Sequence, residues 1–287
     1  GGVVYDDPAI LNSRLYTADE VFSDELLQNI ADTTGVKAYF PVDDRLGQRL
    51  TVLKTQLGQV LGRTPQLQLR QIREDDWSQA WKAYFKPEKI GKVVVKPSWE
   101  EYRPTSDEVL VELDPGMAFG TGNHPTTRLC LELLQELVSP PCAMLDLGTG
   151  SGILALAGAK LGAAPVLAAD IDPVAVRVAR ANVAANQLAE IVAVTEADLL
   201  QGMTGARYDL VVANIIAAVI LNLIPEIPGV LKAEGIFLAS GIIEERCDEV
   251  KQALTAAGLI IKKVARQDGW VAVVAQRGPV VSRKVQS

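Results

Sequence analysis

The stretch that decides the fold is residues 144–152, Met144-Leu-Asp146-Leu-Gly148-Thr-Gly150-Ser-Gly152, followed directly by the apolar run Ile-Leu-Ala-Leu-Ala. An apolar strand here runs into a glycine-rich turn, and the turn opens a helix. Glycine lets a backbone approach a ligand closely, and the first turn of a helix leaves its N–H groups unpaired. The stretch therefore predicts a ligand site at the carboxyl end of a strand.

The glycine spacing, together with one acid, separates two candidate ligands. Dinucleotide-binding enzymes place G-x-G-x-x-G at this position, whereas this chain has G-x-G-x-G with Asp146 two residues before Gly148. A carboxylate there suits a ligand with an ammonium group, such as the methionine part of S-adenosylmethionine, and it would repel a pyrophosphate. We therefore predict S-adenosylmethionine as the cofactor, with Gly148 and Gly150 in its site, and we disfavour a dehydrogenase.

Polar side chains also lie at the carboxyl ends of the next three predicted strands. Asp170 lies about twenty residues past the glycines, where an acid accepts hydrogen bonds from ribose hydroxyls. Asp198 closes the third strand, beside the expected adenine edge, and Asn214 ends the fourth. The carboxyl ends of parallel strands share one edge of a sheet, so we expect all of them at one cofactor site. Two structural alternatives stay open, because Asp172 also suits a helix cap and Asp198 a plain turn.

The order of segments predicts an α/β fold with a doubly wound Rossmann-like sheet between residues 107 and 287. Apolar strands alternate there with helical segments, which is typical of a mostly parallel sheet covered on both faces. The strand segments are VLVEL, AMLDLG, VLAADID, VTEADLL, YDLVVANI and IFLASG. The tail predicts two strands joined near Asp268-Gly269, which adds an antiparallel C-terminal strand.

The first part of the chain has a different character. Residues 1–73 predict a small α+β domain, with a strand at Gly35–Val42, an amphipathic helix between Asp44 and Gly62, and a strand at 67–72. Residues 74–106 predict an aromatic helix followed by a proline-rich linker around a short strand at Lys92–Lys96. We therefore expect the cofactor-binding domain to begin at Asp107 and to fold alone.

The composition of the chain restricts which binding partners and which cellular compartment we expect. The 287 residues carry a net charge of −7 and a pI near 5.0, so counterion release gives no drive toward nucleic acid, and a basic protein partner fits better. Three scattered cysteines and one histidine argue against a metal site and suit a reducing compartment, the cytoplasm. We predict Cys130 and Cys142 to be buried small hydrophobes. The most apolar run, residues 210–223, is too short to cross a membrane.

A second glycine-rich motif, residues 113–127 (LDPGMAFGTGNHPTT), precedes the first. It is either a loop that caps the following helix or a lid over the cofactor crevice. Phe119 would give such a lid an apolar surface. His124, the only histidine, is either a general base or a residue that holds the loop before Pro125.

Together these motifs resemble one family, the ribosomal protein L11 methyltransferases. The resemblance runs from about residue 70 to the C-terminus and lies in EDDWSQAWKAYFKPEKIG, KPSWEEY, LDPGMAFGTGNHPTT, LDLGTGSGILALAGAKLGA, ADIDPVAV and ANIIA. One departure is Asn123, where the family's G-T-G-T-H-P-T-T has threonine. The other is the front: residues 1–73 look like the family's small substrate-recruiting domain without its opening strand and helix.

The resemblance implies a two-domain enzyme that methylates the α-amino group and the lysine side chains of L11. By position, the family's cofactor-binding residues fall on Thr127, Gly148, Asp170 and Asn214. We expect Phe119 and the segment 214–217 to form the acceptor pocket, with Asn214 orienting the amine. The alternatives are a small-molecule or other protein N-methyltransferase and a non-catalytic nucleotide-binding protein. A DNA or glutamine methyltransferase is disfavoured, because N-P-P-Y or D-P-P-Y is replaced here by Asn214-Ile-Ile-Ala.

Overall fold

The computed structural model describes residues 3–6, 35–38, 46–62, 86–114, 124–201 and 208–278, and the chain divides into two compact units, Gly1–Ser78 and Gln79–Ser287. In the first unit, β1 (Val3–Asp6) pairs antiparallel with β2 (Gly35–Ala38). Helix α1 (Leu46–Leu61) follows the predicted amphipathic segment, and its leucines at 46, 50, 53 and 57 are partly buried. The predicted strand at 67–72 and the aromatic helix at 75–85 lie outside the described residues.

The second unit contains a seven-stranded sheet. The parallel strands are β6 (Met144–Leu147), β7 (Val166–Asp170), β8 (Val192–Glu196), β9 (Tyr208–Asn214) and β10 (Leu231–Ile243). Strand β12 (Trp270–Arg277) runs antiparallel between β10 and β11 (Leu259–Gln267). The order across the sheet is β11-β12-β10-β9-β6-β7-β8. The predicted fold class, mostly parallel with an antiparallel C-terminal strand, is confirmed.

The turn between β11 and β12 also follows the prediction. Asp268 and Gly269 have φ values of 51° and 80°. Positive φ at both central residues defines the type I′ turn, whose twist matches that of the flanking strands, and Asp-Gly is one of the pairs it favours.

Helices cover both faces of the sheet. On one side lie α2 (Pro125–Leu137), α3 (Ile153–Lys160) and α4 (Pro173–Ala185), and on the other α5 (Ala217–Leu223), α6 (Ile227–Val230) and α7 (Cys247–Ala256). Within β6, Met144 joins the core formed with α2 and α3, whereas Leu145 joins the core formed with α5 and α7. Because both faces are buried, the strands read as continuous apolar runs.

A second, three-stranded sheet corrects the placement of one predicted strand. VLVEL, predicted as the first strand of the main sheet, is instead β5 (Val109–Glu112), which pairs parallel with β4 (Val93–Lys96) and through it with β3 (Glu88–Ile90). The segment 74–106 thus contains β3 in addition to the strand predicted at Lys92–Lys96, and the side chains of Ile90 and Val93 belong to the core of α2 and α3. A domain that starts at Asp107 would lack both strands, and the predicted domain boundaries stay a prediction.

The cysteines behave as predicted. Cys130, Cys142 and Cys247 are all buried free thiols, and burial raises the pKa of Cys130 to about 12. A thiol so far from ionisation is a small hydrophobe rather than a nucleophile. Within the described part of the chain, no helix is both long and apolar enough to cross a membrane.

Candidate cofactor and acceptor site

The glycine-rich turn after β6 adopts a backbone that favours glycine. Gly148, Gly150 and Gly152 have φ values of 69°, 56° and 87°. A Cβ placed on Gly148 would lie 2.4 Å from Cγ2 of Ile215, the residue that follows β9. The turn and the end of β9 therefore approach at a distance that only glycine permits.

The N–H groups of this turn are already used within the protein. Those of Gly148 and Thr149 donate to the Ala169 carbonyl at 2.9 and 3.0 Å, and that of Gly150 donates to Asp170 Oδ2 at 2.8 Å. A pyrophosphate site needs such donors aimed at the ligand. The turn is therefore a poor dinucleotide cradle, in agreement with the prediction from its spacing.

The contacts of Asp170 and Asp172 distinguish a ligand-binding residue from a helix cap, a choice that the sequence left open for Asp172. The Asp170 carboxylate accepts from Gly150 N and, at 3.0 Å, from Asp172 N. An ionised carboxylate has about four acceptor positions, so Asp170, which is partly exposed, retains capacity for ligand hydroxyls. Asp172 accepts from Val174 N at 2.8 Å and is the N-cap of α4. The structure thus gives Asp172 the helix-cap role.

Asp146 is buried behind the turn. Only 1% of it is exposed, and its Oδ2 accepts from Thr149 Oγ1 at 2.6 Å and from Ala155 N at 3.2 Å. Its Oδ1 is buried without a hydrogen-bond partner. Burial raises the pKa of Asp146 to about 6. A cationic donor placed at Oδ1 would satisfy this oxygen and favour the charged carboxylate.

The first turn of α2 is tied to the ends of two strands. Asn214 Nδ2, at the end of β9, donates to Oγ1 of the fully buried Thr127 at 3.4 Å, and Asn214 Oδ1 is buried without a partner. Ser240 Oγ, in β10, donates to the Thr126 carbonyl at 3.3 Å. The free acceptor on Asn214 is thus held by a side chain 87 positions away.

His124 is the N-cap of α2. Its Nδ1 lies 2.7 Å from Thr126 Oγ1 and 3.3 Å from Thr126 N. Its ring meets Trp270 edge to face, with centroids 4.9 Å apart. This geometry supports the loop-holding role, and catalysis by His124 stays a prediction. Phe119 lies outside the described residues.

Asp198 stands at the carboxyl end of β8 in an exposed turn. Its carboxylate accepts from Gln201 Nε2 at 2.8 Å, and its carbonyl accepts from Gln201 N at 3.0 Å. The plain-turn alternative therefore has support in the contacts. A role beside the adenine edge stays a prediction.

The comparison with known proteins decides the family. The family model described as Ribosomal protein L11 methyltransferase (PrmA) matches residues 1–278. This chain belongs to that family.

Individual relatives agree with this assignment. The Ribosomal protein L11 methyltransferase of Heliobacterium modesticaldum is 43% identical over 286 residues, which cover 97% of this chain and 90% of the relative. The protein of the same name from Desulfitobacterium hafniense is 46% identical over 275 residues, 94% of this chain and 88% of that one. The crystal structure of ribosomal protein L11 methylase from Lactobacillus delbrueckii subsp. bulgaricus has a TM-score of 0.64 at 35% identity, covering 68% of this chain and 100% of that chain.

Sequence reasoning missed three residues that hold the start of α2 or the glycine-rich motif before it. Ser240 and Trp270 contact the start of α2, and Ser98 donates two hydrogen bonds of 2.7 and 2.8 Å to the carboxylate of Asp114, the second residue of the glycine-rich motif 113–127. The sequence did contain a signal for Ser240, because the predicted parallel strand IFLASG has this polar residue near its carboxyl end. Trp270 carried none, since its partner His124 is distant in sequence.

Proposed function

We propose that this chain transfers methyl groups from S-adenosylmethionine to the α-amino group and the lysine side chains of ribosomal protein L11. The main support for S-adenosylmethionine as the cofactor is the Oδ1 atom of Asp146, which is buried without a hydrogen-bond partner. It lies behind a turn whose N–H groups already donate hydrogen bonds within the protein. That combination suits a cationic ligand without phosphates. The acceptor is supported by the names of the relatives, which are L11 methyltransferases.

Each part of the cofactor has a complementary group in this proposal. Asp146 faces the ammonium of the methionine part, and Asp170 accepts hydrogen bonds from the ribose hydroxyls. The backbone at Gly148 and Gly150 lines the site, and Asp198 stands on the adenine side. Thr127 acts on the site indirectly. It is fully buried, and its hydroxyl accepts a hydrogen bond from Asn214 and so orients that side chain.

The acceptor amine has to lose a proton before it reacts. A free lysine has a pKa of about 10.4, so roughly one in 2,500 is neutral at pH 7. An apolar environment lowers this pKa and raises the neutral fraction. Ile216, 67% exposed at the N-cap of α5, offers such a surface, and we assign Phe119 to the same pocket. No dedicated base is then required.

Asn214 supplies the orientation. Its unpartnered Oδ1 would accept a hydrogen bond from the amine and so direct the nitrogen lone pair. The acceptor nitrogen gains the methyl group as the carbon–sulfur bond of the sulfonium breaks, which leaves a neutral thioether, and solvent takes the proton that nitrogen loses.

We assign recruitment of L11 to residues 1–73 and place the reaction in the cytoplasm. The net charge of −7 favours a basic protein over nucleic acid, and three free cysteines suit a reducing compartment. No metal and no membrane partner enters the proposal.

The direct test is transfer of a radiolabelled methyl group to purified L11 by the full chain. We expect label on L11, with the methylated positions mapped by mass spectrometry. Label on other ribosomal proteins or on small molecules, with none on L11, would support the alternative methyltransferases. Binding of S-adenosylmethionine without transfer to any fraction would support a non-catalytic protein. Calorimetry that shows NADH bound and S-adenosylmethionine ignored would overturn the cofactor.

A further inference from the structure

Trp270 lies at the same edge of the sheet as the proposed site. It is the first residue of β12 and pairs with Ile243, the last residue of β10. Because β12 is antiparallel to β10, this pair stands at the carboxyl edge, where β9 ends at Asn214. Strands are about 5 Å apart, so the strand of Trp270 lies roughly 10 Å from that of Asn214.

A continuous set of contacts joins Trp270 to Asn214. The Trp270 ring packs against His124, and His124 caps the helix whose Thr127 accepts the hydrogen bond from Asn214. Ser240 ties the same helical turn to the strand between them. The position of Trp270 relative to Asn214 is therefore fixed by the first turn of α2.

Trp270 and Ile243 leave apolar surface at this edge. Trp270 is partly buried, and Ile243 is 40% exposed. Antiparallel partners point to the same face of a sheet with their Cβ atoms about 5 Å apart, so the two side chains form one surface. We call it the Trp270–Ile243 pair. This surface lies at the same edge of the sheet as Asn214, two strands away, and the first turn of α2 connects the two.

The chemistry of the acceptor suits an aromatic wall. The amine arrives on a long alkyl stem and leaves as a methylated ammonium, and both bind to the face of tryptophan, which gives the strongest cation–π contacts. We propose that the Trp270–Ile243 pair forms one wall of the acceptor-amine site, with Trp270 as a specificity-determining residue. This inference rests on the proposed function and adds the binding surface for its amine.

The test compares Trp270→Leu with Trp270→Phe on purified L11. Leucine keeps an apolar side chain and removes the aromatic face, whereas phenylalanine retains that face. We expect the KM for L11 to rise about tenfold in Trp270→Leu and about threefold or less in Trp270→Phe. The Kd of S-adenosylmethionine should change less than twofold in both variants, since the groups that we assign to the cofactor lie at the ends of β6, β7 and β8.

Two further variants keep the test decisive if Trp270→Leu does not fold. Ile243→Ala shortens a side chain that is already 40% exposed and should raise the KM about threefold. Ile260→Ala is the matched control, because Ile260 is 50% exposed near the start of β11, at the opposite end of the same sheet, and should leave the KM unchanged.

The outcomes separate the two proposals. An active wild type with an unchanged KM in Trp270→Leu and Ile243→Ala would overturn the acceptor wall alone. A phenylalanine variant as weak as the leucine variant would overturn the aromatic role. A wild type that binds S-adenosylmethionine but leaves L11 unmethylated would overturn the proposed function, and the wall with it.

Discussion

The two sides of the proposed site are built differently. On the cofactor side, hydrogen bonds join residues close in sequence: Gly150 and Asp170 are 20 positions apart, and Asp146 and Ala155 are 9 apart. On the acceptor side, Ser240 reaches Thr126 across 114 positions. The cofactor side is thus a local unit of consecutive strand, turn and helix, whereas the acceptor side exists only once α2 has packed. Changes on one side should therefore leave the binding on the other largely intact.

We expect the largest effect from Gly148→Val, because Gly148 lies where the turn of the cofactor side contacts Ile215 on the acceptor side. The valine would adopt a positive φ and collide with Ile215. We expect the free energy of unfolding to fall by about 2–4 kcal/mol and cofactor binding to be lost. Gly229→Ala is the control, because nothing lies within 4 Å of its added Cβ. Denaturant unfolding and calorimetry measure both, and normal cofactor affinity in Gly148→Val would contradict the proposed turn.

The next prediction isolates the cofactor side through pH. The folded-state pKa of Asp146, about 6, lies above its ordinary 3.8, so burial disfavours the charged form. Its stabilising contribution is present below pH 4 and is lost as the pH rises through 6, a change of about 3 kcal/mol. Without ligand, Asp146→Asn should therefore lose less stability than wild type between pH 4 and pH 7. Denaturant unfolding across that range measures the difference.

Cofactor binding should show the opposite trend. An ammonium beside Asp146 favours the carboxylate, so wild-type affinity for S-adenosylmethionine should rise as the pH increases through 6. Asp146→Asn should flatten this rise and weaken binding at pH 7. An identical pH profile in wild type and Asp146→Asn would remove Asp146 from the ammonium site.

A smaller effect distinguishes two neighbouring acids on the same side. Asp170→Ala should weaken cofactor binding by about 1–3 kcal/mol, since it leaves ligand hydroxyls and Gly150 N without their acceptor. Asp172→Ala removes the N-cap of α4 and should cost about 1 kcal/mol of stability, with cofactor affinity within twofold of wild type. Calorimetry and thermal unfolding on both variants make the comparison, and equal losses of affinity would refute this division of roles.

The contrast between the two sides also explains what the sequence could predict. Asp146, Gly148 and Asp170 lie in one strand–turn–helix–strand unit, whose geometry is nearly the same wherever such a unit forms. Ser240 and Trp270 find their partners only through long-range packing, which no spacing rule encodes. The same limit misplaced VLVEL: its apolar pattern predicted a buried strand correctly, but it did not say that β4 would be its partner rather than the main sheet.

We expect the smallest effect from substitutions of His124, and they test whether the acceptor side contains a general base. His124 caps α2, and asparagine is a good N-cap whereas alanine is a poor one. If His124 acts only as a cap, His124→Asn should keep methylation of L11 within about threefold of wild type, and His124→Ala should cost about 1 kcal/mol of stability. If it is a general base, both variants should lose roughly 10²- to 10⁴-fold in rate, because asparagine accepts no proton. Phe119→Ala serves as the comparison: if Phe119 supplies the apolar surface that we propose for it, its loss should lower turnover more than cofactor affinity. We expect the order of turnover to be His124→Asn above His124→Ala above Phe119→Ala. A reversal, with both histidine variants inactive and Phe119→Ala active, would assign the amine's proton to the histidine rather than to solvent.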